Sequence, residues 1–216
     1  GITTLQLPKT GFLSRLYLLI TGSVAGTLSA PNALGMASIL SRMRLTANSG
    51  VDILNLSGAG YHYLYRNFQN DYRHPFPVSN ARSAVTATTF DISALLECQI
   101  NQRDPVGLIA LQNEQTVLTL TLEWLADASV ATGATVTATC VPIMEFFNVP
   151  QNPKDWPDLS VIHQVVEDAQ AVSAAGDFVY SWPRGNTYLG VYHGLGIGAS
   201  PSDAFTRARL RVNQSI

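Results

Sequence analysis

The sequence predicts an all-β protein, a single antiparallel β-sandwich of about eight strands with one or two short helices, spanning residues 1–216. Three observations carry this reading. Several segments alternate apolar and polar residues with period two, the mark of strands with one buried face. Glycine- and proline-bearing turns separate those segments. Helical periodicity is confined to one stretch and two proline-started turns.

Taken along the chain, residues 1–12 read as an N-terminal arm, with Pro8 and Gly11 forming the turn that leads into the first strand. Leu13–Thr21 and Arg42–Asn48 follow as strands. Ser57 to Gln69 places Tyr61, Leu64, Tyr65 and Phe68 on one helix face. Phe90–Asn101 sets Phe90, Ile92, Ala94, Leu96, Cys98 and Ile100 on one side. The clearest alternation is Thr116–Trp124, where Leu118, Leu120, Leu122 and Trp124 oppose Thr119, Thr121 and Glu123. Ala134–Val141 repeats it, with Val136, Ala138 and Cys140 opposite Thr135, Thr137 and Thr139. Residues 148–160 hold three prolines and Trp156 and read as an ordered surface loop. Asp177–Trp182 and Thr187–Tyr192, joined across Pro183-Arg184-Gly185-Asn186, form a hairpin in this reading, and Arg207–Asn213 a last strand. Asn48-Ser49-Gly50, Arg103-Asp104-Pro105 and Ala131-Thr132-Gly133 supply the other breaks. Ala30-Pro31 and Ser200-Pro201 place proline where a first helical turn tolerates it.

One pattern recurs. Arg42-Met43-Arg44-Leu45-Thr46-Ala47-Asn48 and Arg207-Ala208-Arg209-Leu210-Arg211-Val212-Asn213 share R-x-R-L-x-x-N. The simplest account is two similar strands, each with its arginines on a polar outer face.

Composition narrows the function classes. Hydrophobic residues make up 46% of the chain and charged residues 13%. An ordinary domain carries roughly 25% charged residues, so part of this surface is expected to face protein rather than water. Eleven of the thirteen basic residues are arginine, the cation favoured at interfaces. The net charge of −2 gives no basic excess to hold nucleic acid, so no specific nucleic-acid binding is expected. The arginines are expected on carboxylates and carbonyls of neighbouring residues.

Two segments resemble targeting signals. Leu16–Ile20 is strongly apolar, but Gly22, Ser23 and Gly26 interrupt it, and no window offers the ~20 apolar residues of a membrane span. Leu7-Pro8-Lys9-Thr10-Gly11 matches the LPxTG pattern of sortase substrates, in which the motif lies near the C-terminus. Here it is read as a turn.

The search for chemistry yields no site. His62, His74, His163 and His193 form no metal-binding spacing, and no nucleophile elbow occurs. A barrel could gather His163, His193 and Glu145 around a metal, but no spacing motif supports it. Gly194-Leu195-Gly196-Ile197-Gly198 lacks the lysine and the spacing of a phosphate loop. Cys98 and Cys140 could form one disulfide; both fall on apolar strand faces, where a thiol acts as a small hydrophobe. The reading is of no catalytic residue, no cofactor and no metal. Tyr61, Tyr63, Tyr72, Trp156 and Trp182 would be the platforms of a carbohydrate-binding sandwich if exposed.

The opening Leu7-Pro8-x-Thr10-Gly11-Phe12-Leu13-Ser14-Arg15, the apolar strand after it, and Arg42-x-Arg44-Leu45-x-x-Asn48 resemble structural proteins of bacterial viruses. That resemblance implies a jelly roll, one per chain, and a non-enzymatic capsid subunit that self-assembles. It equally implies, as an alternative, an accessory decoration, spike or tail protein. Its partners would be copies of itself and other virion proteins. Its place would be the virion, after assembly in the host cytoplasm.

Overall fold

A computed structural model describes residues 1–26, 39–48, 50–61, 64, 87–100, 105–112, 115–169, 179–182 and 185–191. They form two facing sheets. One has five strands in the order β1 (Ile2–Gln6), β7 (Leu118–Trp124), β3 (Leu40–Ala47), β4 (Val51–Leu56) and β9 (Val165–Val166). All its pairings are antiparallel except β4 with β9. The other is built on the long strand β2 (Phe12–Ala25). Strand β8 (Thr135–Phe147) pairs along the whole of β2. On the other edge of β2 lie β5 (Ala87–Glu97), facing Arg15–Ala25, and the two-residue β6 (Ile109–Ala110), facing Phe12 and Leu13.

Alternation sends one set of side chains from each sheet into a shared core. Leu16, Leu18 and Ile20 of β2 and Phe90, Ile92 and Ala94 of β5 meet Met43 and Leu45 of β3 and Leu118, Leu120 and Leu122 of β7. Each fully buried leucine or isoleucine here stabilises the sandwich by about 1.5–3 kcal/mol. The β3 arginines lie on the opposite face, as expected. Arg42 Nε donates to the Asn55 side-chain carbonyl at 2.6 Å, and Arg44 sits 3.8 Å from Asp52.

Five of the expected strands appear, and four further strands join them. Residues 2–6, expected within an arm, form β1 on the edge of the first sheet. The expected turn at 48–50 joins β3 to β4, with Asn48 at φ 50° and the Gly50 N–H donating to the Ala47 carbonyl at 3.1 Å. The expected strand ending at Val141 continues to Phe147. Of the expected helix over Ser57–Gln69, residues 57–61 and 64 are described; 58–61 and 64 are helical and Ser57 is not. Residues 148–160 contain a single 3-10 turn, Pro153–Asp155, and a further short helix spans Asp127–Val130.

The expected hairpin over Asp177–Tyr192 requires correction. Residues 179–182 and 185–191 carry no strand. Val179 is 82% exposed and Leu189 62%, so their apolar side chains have no sheet to pack on. A lone two-stranded ribbon is marginal in water. The two arms still approach each other, with the Trp182 and Tyr188 rings 5.5 Å apart. The expected strand Arg207–Asn213 and both proline-started turns lie outside the described residues.

Candidate functional site

Among the described residues the second sheet keeps an apolar strip on its outer face. Odd-numbered residues of β2 from Arg15 onward point away from the core. Tyr17 stands opposite Ile143 of β8, and Leu19 opposite Val141. Their exposures are 36, 51, 37 and 48% respectively. At the end of β8, Phe146 stands opposite the buried Leu13, on the core side, and is still 44% exposed, and Phe147 is 51% exposed. Scattered exposed apolar residues are ordinary; neighbouring ones on one flat sheet mark a contact surface.

Each end of the strip has its own polar chemistry. At one end Arg15 lies between Glu97 on β5, 3.7 Å away, and Glu145 on β8, 3.8 Å away. The Tyr17 hydroxyl donates to Glu145 at 3.3 Å. These partly exposed pairs fix side-chain orientation more than they stabilise. At the other end Thr21, Ser23, Thr89, Thr137 and Thr139, with Asp91, surround a shallow hollow over Gly22. A side chain at Gly22 would strike the Thr137 carbonyl and the Phe90 ring, so only glycine lets the three strands close there.

The strand edges are treated unequally. On one side of the sandwich, Tyr61 caps the edge of β5 that has no strand neighbour among the described residues, and β9 covers β4. On the other side, β1 and β8 each have one strand neighbour among the described residues, β7 and β2. Between these two edges lies an open slot of about 330 Å³, lined by Leu5, Leu7, Pro8, Pro142, Met144 and Phe146. Glu145 is the one charged side chain of β8, and β1 has none. Natural sheets usually guard such edges with lysine or other charges.

Candidate residues for other functions are dispersed. His163 is half-buried near Glu97; burial moves its pKa below the ordinary value, and Glu97 opposes that shift. Glu145 is engaged by Arg15 and Tyr17. His62, His74 and His193 lie outside the described residues, and among the described residues no three His, Cys, Asp or Glu side chains gather as metal ligands. Cys98 and Cys140 are free thiols, and burial raises them to about 12 and about 11.

Of the aromatic candidates, Tyr61 is 2% exposed and belongs to the core. Trp156 packs edge-on against Phe12 at 5.5 Å and donates to the Pro150 carbonyl. Tyr63 and Tyr72 lie outside the described residues. No helix among the described residues is long and apolar enough to cross a membrane.

Two facing sheets, one of them built on a long strand, make a jelly-roll-like β-sandwich, and a solved structure shares that fold. The STIV MCP, a viral major capsid protein, superposes with a TM-score of 0.51 at 12% identity, over 69% of this chain and 44% of its own. The PBCV-1 virus capsid gives a TM-score of 0.43 at 13% identity, over 68% of this chain and 38% of that one. The first comparison is close enough to establish a shared fold. The chain spans less than half the length of that protein. No protein-family model matches the sequence, and no curated protein does.

Proposed function

We propose that this chain is a structural subunit of a viral capsid, packing against copies of itself and other virion proteins and carrying out no catalysis. The observation that carries this reading is the fold shared with the STIV MCP. The surface supports it independently. A chain with 13% charged residues presents an apolar strip on β2 and β8 and two edges with little charge to guard them. A free monomer gains nothing from that pattern, whereas a closed symmetric assembly buries it. The virion is the place this function implies. A bacterial virus as the source rests on the opening segment Leu7–Arg15 and on the arginine strand Arg42–Asn48.

Electron microscopy of the purified chain tests the reading. Closed shells or extended sheets are expected. Small rings of fixed size would shift it to an accessory decoration or spike subunit. Monodisperse single molecules at high concentration would overturn it.

A further inference from the structure

The register of β5, β2 and β8 fixes the outer face of the second sheet row by row. At one end Arg15 stands between Glu97 and Glu145. Two apolar rows follow. Tyr17 lies between Leu95 and Ile143, and Leu19 between Ser93 and Val141. In the next row Thr21 lies between Asp91 and Thr139. The apolar band is therefore bordered by carboxylates at both ends. Among the described residues of this face there are three carboxylates and one arginine, which lies 3.7 and 3.8 Å from two of them.

Bordering charges decide which surface a flat apolar face accepts. A second copy could present the same face across a two-fold axis. With that axis along the strands, Glu97 would stack on Glu145 and Arg15 on Arg15 across the contact. With the axis across the strands and centred on the band, Glu97 would stack on Asp91. With the sheets crossed at right angles, the apolar rows would overlap and the charged rows would fall beyond the three strands. None of these arrangements sets a cation opposite a carboxylate.

The cations this face lacks are carried elsewhere in the same sequence. The described residues hold ten Asp and Glu side chains and five Lys and Arg, whereas the remaining residues hold five and eight. A copy meeting the face with a different surface can bring arginines that the twin face cannot. Arginine suits that role, because its planar fork bonds carboxylates in pairs and it is weakly hydrated.

We propose that the outer face of the second sheet docks a second copy head-to-tail, against a different, arginine-bearing surface, with Asp91, Glu97 and Glu145 setting the register around the apolar band. This inference rests on the capsid-subunit reading and deepens it. That reading requires self-contact; this one makes the contact heterologous, the kind that closes rings or extends a lattice instead of stopping at a dimer.

Sedimentation of the full chain carrying Asp91→Asn and Glu145→Gln together tests this. Both side chains are exposed, so the fold is expected to persist. Wild-type self-association is expected to weaken as salt rises from about 0.05 to about 0.5 M. The double variant is expected to associate severalfold more weakly at low salt, with a flatter salt dependence. Tighter association of the double variant would overturn the proposal, because relief of like charges is the mark of same-face stacking. Unchanged association would overturn it as well, whether the face is bare or covered by the chain's own residues. Leu19→Cys, in the middle of the band, is expected to give no disulfide-linked dimer beyond wild type on mild oxidation; such a dimer would set the two faces together and refute head-to-tail docking. A wild type that stays monomeric would instead sink the capsid reading, and this inference with it.

Discussion

Tyr61→Phe separates an edge cap from a core filler. Leu95 stands opposite Tyr17 in the β2–β5 register, yet its N–H donates to the Tyr61 hydroxyl at 2.7 Å, and that hydroxyl donates to the Leu95 carbonyl at 3.3 Å. The backbone groups of Leu95 therefore point away from β2, along the opposite edge of β5. Phenylalanine would keep the ring, which is 2% exposed, and remove both bonds where water has poor access. A buried donor left without a partner costs about 1–3 kcal/mol, and the longer carbonyl bond adds about 0.5 kcal/mol, so the expected loss is about 1.5–3.5 kcal/mol. Urea unfolding measures it, as a lower midpoint with an unchanged slope. Exchange at the Leu95 amide should accelerate beyond that of its neighbours. A change below about 0.5 kcal/mol would show that the hydroxyl does not cap this edge and that Tyr61 merely fills space.

Two further outcomes follow from the same structure. Because the nucleophile is the thiolate, native Cys98, raised to about 12, should resist maleimide at pH 8 and Cys140, raised to about 11, should label slowly; urea should expose both, and rapid native labelling of Cys98 would contradict its burial. Both thiols hold their protons more tightly when folded, so their contribution is intact below the ordinary thiol value of about 8.5 and declines as pH rises above it. Ile143→Lys places a charge in the middle of the outer strip, where the side chain is 51% exposed. Its unfolding free energy should stay within about 0.5 kcal/mol of wild type, while self-association should weaken about tenfold, equivalent to about 1.4 kcal/mol; unchanged association would remove the strip from the contact.

The strands legible in the sequence are those with one wet face. Leu118–Trp124 and the first part of β8 alternate cleanly because threonine marks the outer side. β4 was illegible because Ile53, Leu54, Asn55 and Leu56 are all buried, which removes the alternation. β6 and β9 are two residues each and owe their strand character to the strands beside them, β2 and β4. The opposite case is 179–182 and 185–191, where the sequence alternates but the described residues join no sheet.

The outer strip leaves a signal in the sequence. Leu16–Ile20 is apolar at every position, which a strand with one wet face has no reason to be. In β8 the outward residues change from Thr135, Thr137 and Thr139 to Val141 and Ile143, at the point where they meet Leu19 and Tyr17. Only the register shows that these two anomalies face the same way and adjoin. The path of residues 164–167 left no local signal, since Gln164 and Glu167 bond to Asp52, Asn55 and Ser57, all more than a hundred residues upstream.

Sedimentation velocity across a concentration series addresses the self-contact directly. Growth of large closed species from the purified chain, diminished by Ile143→Lys, is the predicted result. A single slow boundary at the monomer position, unchanged into the hundreds of micromolar, would contradict it.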